Sequence, residues 1–304
     1  MSPWVVGVDG GGSRTRAILL DGSGAVRGRR EGEGSAIDPR DPEAAVTQVE
    51  SVVRALAGEA GVSLPLAALA VGLAGAGRPH VRKAVARRLE RTGLARRVLV
   101  ESDADGAFRD AFGAGPGILV LAGTGSVAWG RAEDGRRDRV GGWGPLLGDE
   151  GSGYALGVEA LRRVAWSVDG RGPDTVLEET VPRALGLPGS DALVDWVAGA
   201  SRREVAALVP LVAQAARDGD PVGERLLREG AEALAHHARV LRQRLAPWAG
   251  PTPLALAGGL LDPDGPLRAR VEAVLDLASW RLHTPRVDGA RGAARAALEL
   301  DLHD

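Results

Sequence analysis

The chain has 304 residues, a formal net charge of −2 at pH 7, 44% hydrophobic and 26% charged residues, and no cysteine. This length carries a full hydrophobic core and suggests about two domains, while the small net charge gives no electrostatic reason to expect a nucleic acid or an anionic membrane as a partner. The lack of cysteine excludes disulfides, thiolate zinc sites, iron–sulfur clusters and a cysteine nucleophile.

The first thirty residues predict a meander of three short strands. Residues 4–8, 15–20 and 25–30 are rich in β-formers and are separated by a glycine loop and by the turn 21–24. Rossmann and Walker loops lead from a strand into a helix, whereas this loop leads into a second strand. The strand after the loop therefore excludes both types. The Walker loop is excluded a second time because the chain contains no Gly-Lys-Ser or Gly-Lys-Thr.

The chain then alternates predicted helices and strands up to residue 112. Apolar residues at helical spacing cover 42–56 and 81–89, and a third helix is expected over 104–112. Strands are expected at 67–73 and 98–100, and the second of these leads directly into Glu101-Ser102-Asp103.

The opening pattern recurs from residue 117. Strand 117–121, loop 122–126, strand 127–131 and an acidic turn at 133–135 repeat the order that begins at residue 4. Such internal similarity predicts two related halves with a boundary in the glycine-rich stretch 113–117. The remainder is expected to be mainly helical, with helices at 152–168, 203–218, 221–245 and 289–300 and a short strand at 254–256.

The first glycine loop, residues 9–15, has the composition of a phosphate-binding loop. Glycines let backbone N–H groups approach a polyphosphate, hydroxyls add donors, and an arginine adds a fixed cation. The predicted phosphate ligands are Gly11, Gly12, Ser13, Arg14 and Thr15. Asp9, at the strand end, is the predicted Mg²⁺ residue, acting through water. The alternative is a glycine-rich hairpin loop that binds nothing.

Two further loops in the second half have the same character. Gly123, Thr124 and Gly125 follow a strand as the first loop does, and are predicted to contact the nucleotide phosphates. Gly258 and Gly259 follow the strand 254–256, where the backbone would pass close to a nucleoside. Each loop is weak evidence by itself, but three in this order favour nucleotide binding.

Asp103 is the candidate general base. A carboxylate at a strand end is suited to accept the proton of a sugar hydroxyl that attacks the γ-phosphate of ATP. The alternative is that Asp103 is the N-cap of the helix that follows, since Asp is favoured at that position. Asp105 is a rival for either role.

The densest signal in the chain is the segment 141–153, which has six glycines together with a tryptophan and adjacent carboxylates. This composition predicts an ordered loop, and carboxylates suit the hydroxyls of a sugar. The alternative is a stiff turn capped by Ser152.

Hydropathy and the N-terminus bear on localisation. No apolar run approaches the roughly 20 residues that span a bilayer. The N-terminus has neither a basic stretch nor an apolar signal core, because the strand pattern begins at once. We therefore expect a soluble, cytoplasmic protein without a membrane partner.

These motifs together resemble the BadF/BadG/BcrA/BcrD-type ATPase family, and within it the N-acetylglucosamine kinases. The resemblance covers nearly the whole chain. It is carried by Asp-Gly-Gly-Gly-Ser-Arg-Thr at 9–15, Gly-Leu-Ala-Gly-Ala at 72–76, Ser-Asp-Ala at 102–104, Ala-Gly-Thr-Gly-Ser at 122–126, Gly-Gly-Trp-Gly-Pro-Leu-Leu-Gly-Asp-Glu-Gly-Ser at 141–152 and Ala-Gly-Gly at 257–259.

The resemblance implies an α/β fold of two ribonuclease-H-like, actin-like ATPase domains flanking a cleft for nucleotide and sugar. Residues 1–114 would form the sugar and phosphate side, 115–288 the nucleotide side, and 289–304 a helix that packs back on the first domain. It further implies ATP and Mg²⁺ between the two hairpin loops, Asp103 as catalytic base, and a homodimer. The sugar-binding residues that it implies are Asp149, with Ser126 and the backbone of Gly142, Trp143 and Gly144 beside it.

The implied activity is ATP-dependent phosphorylation of a sugar, with N-acetylglucosamine at its 6-hydroxyl first, then glucosamine, then glucose. The family's usual sugar-contacting Asn is replaced here by Ala36, with Asp38 as the candidate substitute. A non-catalytic sensor that binds ATP and sugar is the alternative from another class. The family branch that activates radical dehydratases needs cysteine ligands for its cluster and is excluded.

Overall fold

The computed structural model describes residues 3–38 and 41–302, which form two compact units. Unit 1 contains the described residues up to Ala114 together with those from Val287 onward, and unit 2 is Gly115–Arg286. Unit 1 is therefore built from both ends of the chain.

Each unit contains a five-stranded sheet of the same topology. In both, three consecutive strands form an antiparallel meander. A fourth strand pairs in parallel with the first strand, and a fifth pairs in parallel with the fourth. The orders are β3-β2-β1-β4-β5 and β8-β7-β6-β9-β10. The strands are β1 (Val5–Gly10), β2 (Arg14–Leu20), β3 (Val26–Glu33), β4 (Leu66–Leu73), β5 (Ala95–Ser102), β6 (Gly117–Ala122), β7 (Ser126–Arg131), β8 (Arg137–Gly141), β9 (Thr252–Ala257) and β10 (Trp280–Leu282).

Helices cover the sheets. In chain order they are α1 (Pro42–Glu59), α2 (Pro79–Arg91), α3 (Asp103–Phe112), α4 (Gly153–Val168), α5 (Leu177–Ala184), α6 (Leu193–Gly199), α7 (Arg202–Ala206), α8 (Val209–Arg217), α9 (Pro221–Arg244), α10 (Arg268–Val274) and α11 (Gly289–Leu302). Within the described ranges, no helix is long and apolar enough to cross a membrane.

The strand positions follow from burial. The central strands β1 and β4 are almost wholly buried and read as apolar runs, as strands covered on both faces do. The edge strand β3 instead alternates charged residues with glycine and stays largely exposed, which protects an edge from pairing with another chain. One face of the unit 1 sheet is covered by the apolar stripe of α1, which includes Val46, Val49, Val53 and Leu56.

The other face of that sheet is covered by α11. Its alanines 290, 293, 294 and 297 pack against Val5, Ile18 and Ala70. The helix can lie this close because β1 has a glycine at the contact: a Cβ on Gly7 would lie 2.0 Å from the backbone nitrogen of Ala294. The C-terminal helix is thus an integral layer of unit 1.

One predicted helix is interrupted in the structure, and the elements α5, α6, α10, β8 and β10 were not predicted. A single helix was expected over 203–218, but α7 ends at Ala206 and α8 begins at Val209. Pro210 lies in the first turn of α8, where its missing N–H costs nothing, but it could not continue a helix from before. The strand β8 was not predicted, because its sequence, RDRVG, is too polar to stand out.

The packing of α11 should be intolerant of one added methyl group. A Cβ on Gly292 would lie 1.8 Å from the carbonyl oxygen of Gly106, so Gly292→Ala should lower the free energy of unfolding by about 1–3 kcal/mol. The control is Gly58→Ala in α1, where an added Cβ has nothing within 4 Å and raises helix propensity. Urea unfolding measures both, and a wild-type midpoint for Gly292→Ala would contradict this packing.

Candidate active site

In unit 1, the carboxyl ends of three parallel strands bring two acidic residues together. Asp9 on β1 is paired in register with Gly72 on β4, and Gly72 with Glu101 on β5, two residues before Asp103. Gly72 has no side chain between its neighbours, and a Cβ there would lie 3.2 Å from the carbonyl oxygen of Ser102. The charge of Asp9 therefore acts on Asp103 directly across β4.

The start of α3 tests the N-cap interpretation of Asp103. Ser102 is the N-cap: its hydroxyl accepts from the backbone N–H of Asp105, whose carboxylate in turn accepts from the N–H of Ser102 at 3.1 Å and from its hydroxyl at 2.7 Å. This reciprocal pair is a capping box. The N-cap interpretation of Asp103 is therefore wrong, and Asp105, the rival, is the residue engaged in capping.

Asp103 is partly buried, and its Oδ1 accepts from the N–H of Ala104 at 3.0 Å. Burial, and then the nearby charge of Asp9, raise the pKa of Asp103 to about 6. A carboxylate of this kind is ionised at neutral pH and more basic than an ordinary aspartate, which suits it to accept a proton from a hydroxyl.

Asp9 is held by an arginine that the sequence analysis did not select. Arg16 lies opposite Asp9 on the neighbouring strand and donates from Nη2 to Oδ2 at 2.8 Å. Burial nevertheless raises the pKa of Asp9, with the charge of Asp288 adding to it and Arg16 opposing it. The predicted cation, Arg14, is instead exposed, with Glu31 4.0 Å away. Hairpin register was the signal that could have found Arg16.

The first glycine loop is a tight turn tied to the segment after β3. The N–H of Gly11 donates to the carbonyl of Arg14 at 2.9 Å, and the N–H groups of Ser35 and Ala36 both donate to the carbonyl of Gly11. At the tip of the turn, Gly12 is exposed and Ser13 is half-buried.

Two of the predicted residues near this loop lie differently from what the sequence suggested. Thr15 is fully buried, with its hydroxyl between the carbonyl of Glu33 at 2.5 Å and the hydroxyl of Ser35 at 2.7 Å. Its hydroxyl stabilises the loop and is not an exposed phosphate donor, because it is buried and bonded to Glu33 and Ser35. Asp38 is exposed, and its carbonyl accepts from the N–H of Asp41; its contact with a sugar stays a prediction.

In unit 2, the parallel strands β6 and β9 bring two of the predicted loops side by side. Leu121 pairs with Ala257, so Gly258 lies next to Ala122. Gly258 has φ +92°, and a Cβ there would lie 2.4 Å from the carbonyl oxygen of Ala122. Only glycine fits this position. Gly259 is exposed, with open space beside its Cα.

The second glycine loop is joined to the start of α4. Gly123 donates to the carbonyl of Gly125 at 2.9 Å, and its own carbonyl accepts from the N–H of Gly153 at 2.8 Å. The carbonyl of Thr124 accepts from the N–H of Tyr154 at 3.2 Å. The loop is thus held in shape by main-chain bonds, while the space beside Gly123 is open.

Asp149 connects this loop to the 141–153 segment. Its buried carboxylate accepts from the N–H groups of Ser126 and Gly144, and Arg202 donates to Oδ2 at 3.3 Å. Burial raises the pKa of Asp149 although Arg202 opposes the shift. Asp149 also has φ +62°, the one positive value for a non-glycine residue among those described. Its sugar contact stays a prediction, and Arg202 is a neighbour that the sequence did not indicate.

Of the other predicted sugar ligands of unit 2, Ser126 is buried, Gly142 and Gly144 are half-buried, and Trp143 is exposed. Ser126 is buried and donates from its hydroxyl to the carbonyl of Glu150 at 2.8 Å, so this hydroxyl is used within the protein. Trp143 is 67% exposed, with the guanidinium of Arg139 5.3 Å from the centre of its ring. Gly142 and Gly144 flank it, both with positive φ.

The acidic pair of unit 1 suits a divalent cation that is shared with a nucleotide. Among residues 3–38 and 41–302, no group of three or more His, Cys, Asp or Glu side chains could hold a metal ion unaided. Mg²⁺ keeps several waters and usually takes one or two carboxylates together with phosphate oxygens. Asp9 offers such a carboxylate, and a cation beside it would offset the burial that raises its pKa.

Comparison with known proteins places the chain among sugar kinases. The family model of the BadF/BadG/BcrA/BcrD ATPase family matches residues 6–297. The N-acetylmuramic acid/N-acetylglucosamine kinase of Clostridium acetobutylicum is 31% identical over 262 residues, which are 85% of this chain and 86% of that protein.

Solved structures agree on the fold. A protein of Chromobacterium violaceum, provisionally named as an N-acetylglucosamine kinase, aligns with a TM-score of 0.79 and 29% identity over 97% of this chain and 99% of the other. A ROK family glucokinase of Streptomyces griseus, in complex with glucose and AMPPNP, has a TM-score of 0.58 at 20% identity, covering 97% and 99%. The predicted α/β fold with two units of the actin-like ATPase class is confirmed.

The raised pKa of Asp103 predicts a stability cost at neutral pH. A folded-state pKa of about 6, above the ordinary value of 3.8, means that the folded protein binds this proton more tightly than the unfolded chain. The stability that this bound proton contributes is complete below about pH 4 and is lost as the pH rises through 6. At pH 8, Asp103→Asn should therefore have a free energy of unfolding about 1–3 kcal/mol higher than wild type, and a higher melting temperature.

Thermal unfolding of both proteins between pH 5 and 8 measures the difference. Asp134→Asn is the control, because hydrogen bonding from Arg136 lowers the pKa of that exposed carboxyl: it is ionised in both the folded and the unfolded protein between pH 5 and 8, so the difference from wild type should not change with pH. A gap between wild type and Asp103→Asn that is constant with pH would contradict the prediction.

Proposed function

This chain belongs to the BadF/BadG/BcrA/BcrD ATPase family, and we propose that it transfers the terminal phosphoryl group of ATP to a hydroxyl of an amino sugar, N-acetylglucosamine first. The observation that carries the proposal is Asp103, a carboxylate at a strand end with a raised pKa beside a second carboxylate. The 31% identity to the Clostridium acetobutylicum kinase supports the choice of sugar.

Asp103 acts as the general base. It accepts the proton of the attacking sugar hydroxyl as the oxygen bonds to the γ-phosphorus, while the bond from that phosphorus to the β–γ bridging oxygen breaks. The products are the sugar phosphate and ADP, and the proton passes from Asp103 to solvent. The 6-hydroxyl as acceptor stays a prediction.

Each unit, taken by itself, has backbone amides suited to bind phosphate. In unit 1 these are at the turn that contains Gly12, with Arg14 as a nearby exposed cation. In unit 2 they are in the loop after Gly123, whose own N–H donates to Gly125, and at Gly259, which has open space beside its Cα. Asp9 would hold Mg²⁺ through water, and the ion would neutralise charge that develops on the phosphoryl oxygens.

The sugar is recognised by the 141–153 segment, with Trp143 as an exposed aromatic surface and Asp149 as a fixed carboxylate. Asp38 is the candidate replacement for the Asn that Ala36 lacks. N-Acetylmuramic acid is a second candidate substrate, because the relative from Clostridium acetobutylicum is named for both sugars. Glucosamine and glucose follow, and the homodimer stays a prediction.

A sugar panel tests the proposed reaction. With ATP and Mg²⁺ in a coupled ADP assay, N-acetylglucosamine should stimulate ADP release more strongly than glucosamine or glucose, with N-acetylmuramic acid included in the panel. Each reaction without sugar serves as its control. If no sugar stimulates ADP formation, the non-catalytic sensor becomes the better hypothesis.

Replacing the base should separate catalysis from binding. Asp103→Asn should lower kcat on the order of 10²-fold or more, because the hydroxyl proton loses its acceptor, while ATP binding measured by calorimetry stays close to wild type. In wild type, kcat/KM should fall below about pH 6 as Asp103 becomes protonated. Asp105→Asn is the matched control on the same helix and should keep most of its turnover; retained turnover in Asp103→Asn would remove the assigned base.

A further inference from the structure

An ion pair between a buried carboxylate and a half-buried arginine joins the helix that carries Asp103 to the first turn of α11. Asp110, at the far end of α3, has a fully buried side chain. Arg291 donates to it from Nε at 2.5 Å and from Nη2 at 2.7 Å, and the backbone N–H of Asp288 donates at 2.8 Å. The guanidinium of Arg295 lies 3.5 Å away. Two-pronged contacts of this kind fix direction as well as distance.

The same faces of the two helices touch through their backbones. A Cβ on Gly106 would lie 2.8 Å from the carbonyl oxygen of Gly289, and Gly292 approaches Gly106 still more closely. Gly106 and Asp110 lie three and seven residues after Asp103, so all three residues lie along one side of α3. The side of α3 that begins at Asp103 is therefore the side that α11 holds.

The first turn of α11 also lies against the other carboxylate of the site. A Cβ on Gly289 would lie 2.9 Å from Cγ of Asp9. Asp288, the preceding residue, accepts from Arg29 of β3 at 2.8 Å. The turn 288–291 is thus fixed on one side by β3 and on the other by Asp110, and it lies directly on Asp9.

Stability alone does not account for a charged pair here. The rest of α11 packs through alanines, and a buried ion pair can often be replaced by apolar residues without loss of stability. Apolar packing depends little on direction, whereas hydrogen bonds require a fixed geometry. Apolar contacts therefore resist the sliding and rotation of a helix less than hydrogen bonds do. A pair between α3 and α11 fixes their relative position along the axis.

We propose that Asp110 and Arg291 are positioning residues, which hold Asp103 in place relative to Asp9 through α3 and the first turn of α11. The inference rests on the proposed function, in which Asp103 is the base. It makes the C-terminal segment from Val287 onward a working part of the site in unit 1, although Asp110 and Arg291 lie outside the residues assigned to ATP or sugar.

Two substitutions test the pair, and a buried carboxylate of unit 2 is the matched control. Asp110→Asn removes the charge at nearly constant volume, and Arg291→Lys keeps the charge but loses the two-pronged contact. Asp220→Asn is the control, because the buried side chain of Asp220 likewise accepts two backbone N–H bonds, from Val176 and Gly223. All three should lower the melting temperature.

The kinetic constants separate positioning from simple loss of stability. At a temperature where every variant is folded, Asp110→Asn and Arg291→Lys should lower kcat by about 10- to 100-fold, as small misplacements of reacting groups do, with KM for ATP and sugar close to wild type. Asp220→Asn should keep wild-type kcat. Wild-type kcat in both unit 1 variants, with only the melting temperature lowered, would overturn the proposal.

Hydrogen–deuterium exchange provides a readout that does not need turnover. Asp110→Asn should speed exchange in peptides covering 9–16 and 101–112, while Asp220→Asn should speed it around 176 and 223. If wild type phosphorylates no sugar but this pattern appears, the proposed function fails and the positioning role stands. If wild type is active and exchange at 101–106 is unchanged in Asp110→Asn, the positioning role fails by itself.

Discussion

The close contact of α11 with β1 and α3 is the constraint on which unit 1 depends. It exists because glycine stands wherever another side chain would collide: Gly7 under Ala294, and Gly106 against Gly292. A helix from the end of the chain thereby becomes the layer that covers one face of the first sheet. The position of both acidic residues follows from it, since Asp9 lies beneath Gly289 and Asp103 begins the helix that α11 holds.

The chemistry of the site comes from the topology of the sheet more than from any one loop. Parallel strands end at the same edge, so Asp9 and Asp103 come together although 94 residues separate them in sequence. Burial raises the pKa of both carboxyls, and the charge of Asp9 raises that of Asp103 further. The same desolvation that makes Asp103 a better base opposes folding at neutral pH, so the site is maintained by packing elsewhere, and α11 supplies much of that packing.

Unit 2 repeats the strand order of unit 1 with different contents. Its loops at 123–126 and 258–259 also lie at the ends of parallel strands, but they carry open backbone where unit 1 carries carboxylates. The strained residue Asp149 ties the first of these loops to the tryptophan-bearing segment by accepting from Ser126 and Gly144. A positive φ in an aspartate held by two backbone amides indicates a conformation that the surrounding loop imposes.

The sequence by itself determined the elements with strong periodicity, the repeated strand–loop–strand pattern and the glycine loops, because each of these is written in neighbouring residues. It left Asp103 open between a base and an N-cap, and it did not reveal that Ser102 and Asp105 form the cap, that Arg16 pairs with Asp9, or that Thr15 and Ser126 are buried. Strand register and burial decide these points, and both are set by contacts between distant segments. The partnership of Asp110 with Arg291, 181 residues later in the chain, is the clearest case: only the tertiary structure brings the two ends of the chain together.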